Sequence, residues 1–347
     1  KLERFTRKAG PEVQQALAEL KAKGDLQGVI LDLRDNPGGL LGAAVDVSEL
    51  FVSQGATVVS TRGRLPETNR SYRSDRAPVF PDVPLAVLVN DFSASASEIV
   101  AGAVQDLDRG VVMGTTTYGK GLVQVVRSLP HNTSLKMTTA TYYTPSGRSI
   151  QSVDYAGESE PEAPVAAGEA FETAAGRTVR DRHGIEPDVA VEPEPPSPLE
   201  KALQQKAAFF YYANHYAATH EELPDGFTAD DAVLTDFQQW LDAEDFTYDT
   251  EAQRTVADLR ERLAETGYDD ADDEVADLQA ALQQAKRAGF SRHATDLKRH
   301  LEREILARYV SKSEQVQASL RSDAQVDAAV DLIRDTDRYR GILTPDE

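Results

Sequence analysis

The stretch NDFSASASEIVAG, residues 90–102, sets Ser93, Ser95 and Ser97 on alternate positions ahead of an apolar, helix-like run. Two roles fit a serine there. Ser95 can cap the helix, with Glu98 three residues later completing a capping box. It can instead be a nucleophile, because a helix start offers unsatisfied N–H groups and a positive dipole end that favour developing negative charge. A nucleophilic serine needs a base, and none of the six histidines lies near these elements in sequence. His131 falls in an apparent turn, LPHNTS, His183 in DRHG, and the other four in the C-terminal half. A histidine adjacent only in space stays open. The remaining candidate is Lys120, held between two glycines in TTTYGKGLVQ, where close backbone approach is permitted.

A lone lysine after a strand is ordinarily solvated, and its pKa of about 10.4 leaves about one molecule in 2,500 neutral at pH 7. Burial among apolar groups that lowers the value to about 7 to 8 makes the amine a competent base. A Ser–Lys pair is then a variant of the nucleophile–base logic of the catalytic triad. LDLRDNPGG invites a second reading, since Asp32 and Asp35 could suggest a divalent metal. Carboxylates at a strand end beside Pro-Gly-Gly more often build turns or pair with a neighbour such as Arg34, so no metal or other cofactor is expected. The absence of cysteine removes disulfides, thiol nucleophiles and cysteine zinc sites.

These residues must be positioned by a fold. PEVQQALAELKAKG reads as a helix, GVILDLRD, PLAVLVN and GVVMG as buried strands, AAVDVSELFV and SEIVAGAVQDLD as helices, and GLVQVV and SLKMTTATYYT as two further strands. Strands alternating with helices imply βαβ units and a mostly parallel sheet. DYAGESEPEAPVAAGEA is a polar insertion, and VEPEPPSPLE, dense in proline, is a linker. Beyond Pro198 the stripes Val256–Leu259–Leu263, Val275–Leu278–Leu282 and Leu297–Leu301–Ile305 are helical. The expected domains are therefore an α/β core over 1–197 and an all-α domain over 198–347. With 347 residues and a formal charge of −21, the chain can bury a real core and is a poor partner for nucleic acid or anionic membrane.

In this order and spacing, GVILDLRDNPGGLL, LVNDFSASASEIVAGAVQD, YGKGLVQ, LKMTTATYYTPSGRSIQ and HGIEPDV resemble the C-terminal processing peptidases, serine proteases of the tail-specific protease family. The resemblance runs to about residue 192 and leaves the helical region unassigned. It implies a core shared with the crotonase and Clp-protease folds, Ser95 as nucleophile, Lys120 as general base and Gln124 as the residue orienting that lysine. The oxyanion donors would be the amide of Ala96 and one from Gly38 or Gly39. It further implies protein or peptide substrates with apolar C-terminal tails, an extracytoplasmic or periplasmic location, and a PDZ domain. The chain is expected to be the catalytic core and helical tail of a longer exported protein, with the PDZ domain and the opening strand of the core outside it. The helical domain would serve homo-oligomer formation or adaptor binding.

Two positions carry tension. Asp106 matches a family aspartate, yet eleven residues of helix rise about 16 Å, too far from Ser95 for a contact, so it is expected to be structural. Arg148 of TPSGRS is a candidate ion-pair partner. Gln124 lies four residues from Lys120, about 13 Å along a straight strand, so a contact needs the 119–121 segment to bend. The alternative is a non-catalytic peptide- or hydrophobic-ligand-binding module on the same core, which would have no need of Ser95, Lys120 and Gln124 together. A crotonase-type acyl-CoA enzyme is disfavoured by the Ser–Lys pair and by the acidic charge.

Overall fold

The computed structural model describes residues 1–152, 168–181, 183–224, 226–266 and 271–344. Short apolar runs in the first half become strands, and the runs of helical period become helices. In chain order these are α1 (Ala9–Ala22), β1 (Val29–Asp32), α2 (Leu41–Ser48), β2 (Thr57–Arg62), β3 (Arg70–Arg73), β4 (Leu85–Val89), α3 (Ala96–Asp106) and β5 (Val111–Gly114). β6 (Leu122–Leu129), β7 (Thr133–Tyr143), β8 (Ala170–Glu172), β9 (Thr178–Arg180) and β10 (Val189–Ala190) follow. The polar stretch beginning at Asp154 lies largely outside the described residues.

Four strands form a parallel sheet in the order β1-β4-β5-β10. LAVLV of β4 shows no apolar–polar alternation because both of its faces are covered. Leu85, Val87 and Val89 join one core with Ile99, Val100 and Val104 of α3, while Ala86 and Leu88 join another on the opposite face. The connections leaving β1, β4 and β5 all emerge at the carboxyl end of this sheet, the edge at which open α/β sheets gather their working loops. The remaining long strands pair antiparallel, in the order β3-β2-β7-β6. GLVQVV and SLKMTTATYYT are thus a hairpin and add nothing to the parallel sheet. Only residues 130–132 join them, and His131 and Asn132 both take positive φ, which suits a tight reversal and not a crossover.

The chain divides into two units, Lys1–Pro193 with Ala324–Glu347, and Glu194–Asp323. The second is helical: α4 (Pro198–Gln205), α5 (Ala208–Thr219), α6 (Asp231–Ala243), α7 (Glu251–Thr266), α8 (Asp272–Arg287), α9 (Gly289–Arg292), α10 (Ala294–Tyr309) and α11 (Lys312–Ser319). Its core joins Leu203, Phe209, Tyr212 and Phe237 to the stripe Leu297, Leu301 and Ile305. The stripes of α7 and α8 are thinner, since Val256 and Val275 are buried while Leu259 and Leu278 are exposed.

The division departs from the 197/198 boundary read from the sequence. α12 (Ala324–Arg334) and α13 (Thr336–Leu343) belong with the first unit. Ala329, Leu332 and Ile333 cover Ala86, Leu88, Val111 and Met113, the sheet face left open by α1–α3. Burying side chains such as Leu332 and Ile333 is worth about 1.5–3 kcal/mol each. Tyr339 Oη donates to Leu85 O at 2.9 Å and accepts from Leu85 N at 2.8 Å, pinning the start of β4.

Candidate functional site

The loop after β1 is a tight turn with Asn36 at its centre. Asn36 is fully buried; its Nδ2 donates to Leu2 O at 2.7 Å and its Oδ1 accepts from Gly38 N at 2.9 Å. Its carbonyl accepts from Ala94 N at 3.0 Å and from Ser97 Oγ at 2.8 Å, joining this turn to the serine segment. Ser93 Oγ adds a bond to Leu33 O at 2.9 Å. Ser93 and Ser97 thus hold the scaffold, and Ser95 between them does not.

Ser95 sits at the N-cap of α3 with φ 57° and ψ −109°, a costly conformation for a residue with a side chain. Its N–H donates to Glu98 Oε2 at 2.7 Å. Its Oγ faces the Glu98 N–H in the manner of a capping box but makes no side-chain hydrogen bond to the helix. Gly38, at φ 93°, packs so closely that a Cβ there would stand 2.8 Å from Ala96 N and 2.9 Å from Ser95 Cβ. Only glycine fits between the turn and the serine. The Gly38 N–H is engaged by Asn36, whereas the N–H groups of Ala96 and Gly39 make no hydrogen bond among the described residues.

Lys120 reaches the same place through its backbone. Glu98 accepts at Oε2 from Lys120 N at 2.9 Å, and at Oε1 from Gly119 N and Thr117 Oγ1, both at 2.6 Å. One carboxylate oxygen is therefore shared by the amides of Ser95 and Lys120. Tyr118 N donates to Ser93 O at 3.1 Å, a second tie between the two loops. Gly119, at φ 81°, lets the loop turn against Ser152, whose Oγ would meet an added Cβ at 2.3 Å. Burial pushes the Glu98 carboxyl above the usual carboxylate range, partly offset by its hydrogen bonds to Thr117 and to the amides of Lys120, Ser95 and Gly119. All four partners are donors, which suits the ionised form.

The side chains of the expected base half are not assembled. Lys120 is exposed, and no hydrogen bond joins its Nζ to Ser95 Oγ. Gln124 lies exposed on β6, beside a register shift between Val123 and Gln124, and makes no hydrogen bond to Lys120. The burial that would make Lys120 a base is missing here because its loop opens to solvent at the root of the β6–β7 hairpin.

The structural residues separate cleanly. Asp106 Oδ1 meets Arg148 Nη2 at 2.8 Å, both side chains fully buried, and its Oδ2 accepts from Ser146 N at 3.0 Å. Asp32 is clamped by Arg34 at 2.8 Å and Asp35 pairs with Lys1 at 3.2 Å, so neither carboxylate is a vacant ligand. Sequence reasoning missed the reach of Glu98. Its three-residue offset from Ser95 was legible; its bonds to residues 117–120 depend on β4 and β5 lying side by side. Leu40, Phe92 and Tyr118 are all exposed apolar side chains, each within three residues of Gly39, Ser95 or Lys120.

Residues 1–157 match the profile described as Peptidase family S41, and residues 199–333 match Probable PDZ-protease, C-terminal helical domain. The Carboxy-terminal-processing protease of Bartonella bacilliformis is 44% identical over 156 residues, covering 44% of this chain and 36% of the relative. Carboxyl-terminal-processing peptidase 1, chloroplastic, of Arabidopsis thaliana is 40% identical over 150 residues, covering 43% of this chain and 30% of the relative. This chain thus spans about a third of the length of these relatives. Among solved structures, the photosystem II D1 C-terminal processing protease aligns with TM-score 0.43 and 33% identity, over 56% of this chain and 42% of the other.

Proposed function

We propose that the chain, whose residues 1–157 match the model of peptidase family S41, is the catalytic part of a serine endopeptidase that cleaves unfolded or tagged proteins near apolar C-termini. Ser95 Oγ attacks the scissile carbonyl and passes its proton to Lys120 Nζ. The tetrahedral oxyanion is held by the N–H groups of Ala96 and Gly39, assisted by the N-terminus of α3. Collapse returns the proton to the leaving amine, and water activated by the same lysine hydrolyses the acyl-enzyme. Gly39 is preferred to Gly38 because its N–H is uncommitted.

The observation that carries this reading is the Glu98 carboxylate oxygen shared by the Ser95 and Lys120 amides. It anchors nucleophile and base to one point, and no hydrogen bond joins Ser95 Oγ to Lys120 Nζ. Substrate binding over the exposed Lys120 supplies the desolvation a neutral amine requires, and Gln124 orients the amine as the hairpin closes on the substrate. Leu40, Phe92 and Tyr118 offer apolar contact to a tail lacking charge. The site works outside the cytoplasm, and the helical unit serves assembly or an adaptor.

The test is cleavage by the full-length protein of an unfolded reporter ending in an apolar tail, beside Ser95→Ala and Lys120→Ala. Loss in both variants with folding intact supports the reading. Activity surviving Ser95→Ala, or none in wild type across several tails, returns Ser95 to a helix cap and the protein to a binding role.

A further inference from the structure

The chain leaves the first unit after Pro193 and re-enters it at Ala324. One side chain holds both passages. Gln325, buried near the start of α12, donates from Nε2 to Val191 O at 2.6 Å on the outgoing segment. Val191 N in turn donates to Gly114 O at 2.9 Å, at the end of β5. Gln325 Oε1 accepts from Arg34 Nη1 at 2.8 Å. Arg34 spends its other edge on Asp32, with Nε to Oδ1 at 2.9 Å and Nη2 to Oδ2 at 2.8 Å, while its own N–H returns to Oδ1 at 3.0 Å.

The guanidinium is therefore a planar fork held along two edges, and it stands two residues before Asn36. The turn it precedes contains Asp35 at φ 63° and Gly38 at φ 93°. Conformations of that kind persist where their surroundings over-determine them. Loss of the Gln325 acceptor removes one of the bonds that fix the Arg34 guanidinium beside this turn.

We propose that Gln325 is a positioning residue of the site: by fixing Arg34 it holds the Asp32–Gly39 turn, and it ties to that turn the neck through which residues 194–323 are inserted. The proposal rests on the peptidase reading above. Gln325 touches no reacting atom, so its loss misplaces the Gly39 donor and falls on kcat while leaving substrate binding near its original strength. Because the same amide spans the outgoing and returning segments, a displacement of either segment reaches the turn.

The test compares Gln325→Leu with Gln325→Glu in the full-length protein. Glutamate keeps an acceptor for Arg34 and gives up the donation to Val191; leucine removes both. The expected result is a kcat lower by about tenfold for Gln325→Leu with KM within about twofold, and recovery of most of that loss in Gln325→Glu. Amide exchange over residues 33–40 should quicken in the leucine variant and stay slow in the glutamate variant. Unchanged kcat and exchange in a folded Gln325→Leu protein would overturn the proposal. So would equal losses in both variants that track their melting temperatures. A wild-type protein that cleaves nothing would sink the peptidase reading alone, since the exchange comparison still judges the tie between Gln325 and the turn.

Discussion

The serine half and the lysine half of the site share one hydrogen-bond network and differ in where their side chains lie. On the serine side Asn36, Ser93, Ser97 and Glu98 are fully buried, and each has its polar atoms committed. On the lysine side the backbone of residues 117–121 joins that network, while Lys120 and Gln124 face solvent at the root of a hairpin whose Val126, Leu129 and Leu135 are exposed. Oxyanion donors must be in place before charge develops, because reorganising them during the reaction raises the barrier. A lysine base has the opposite need: kept in water while idle, it avoids the cost of burying a charge and is desolvated by the substrate. On the proposed mechanism, the nucleophile half is preformed and the base half is completed by occupancy.

The comparison is broken most severely at the reacting groups. Ser95→Ala and Lys120→Ala should each lower kcat by at least about 10³-fold, with melting temperatures close to wild type, because neither side chain is packed in the core. Reporter cleavage beside circular dichroism checks both. Asp106→Ala separates structure from chemistry on the serine side. It leaves Arg148 charged, buried and unpaired, and should cost about 3–5 kcal/mol in urea unfolding while the kcat of the folded fraction holds.

Glu98→Gln tests the atom common to both halves. The amide nitrogen must face a donor from Ser95, Lys120, Gly119 or Thr117, a loss of about 1–3 kcal/mol that should appear in both stability and kcat. The pH dependence of this residue has an unusual sign. Its folded-state pKa lies above the unfolded value, so its contribution to stability is fully present below the unfolded pKa and is lost as pH rises through the folded one. Activity runs the other way, because protonation places an O–H among four donors and pushes one loop away. Acidification should therefore inactivate the protein at a pH above the ordinary glutamate range without a matching loss of melting temperature, and Glu98→Gln should remove that limb of the profile. Smallest of all, Val126→Ser on the hairpin should change stability by no more than about 0.5 kcal/mol, as calorimetry can show.

Much of this was legible in the sequence where the signal is local. Helical period gave α1, α3 and α10, and the serine–glutamate offset gave the cap of α3. The buried-strand reading of LAVLV followed from its unbroken apolar run. What was not legible depends on partners distant in sequence. Nothing in the stripe of α12 distinguishes a helix that covers a sheet from one in a bundle, because Leu332 and Ile333 satisfy either. The antiparallel pairing of β6 with β7 follows from residues 130–132, which are too few for a crossover between parallel strands. The proposed preference for Gly39 over Gly38 rests on the Asn36 side chain, which closes on Gly38 only in the folded turn.

Acylation of Ser95 is the step on which the proposed mechanism most directly depends. Rapid-quench intact mass spectrometry of the full-length protein mixed with an activated ester of a short apolar peptide would follow the intermediate itself. The expected result is an early burst of a single adduct, mapped to Ser95 by peptide digestion and absent from Ser95→Ala. Turnover without a burst in which no adduct forms, or an adduct on any other residue, would contradict it.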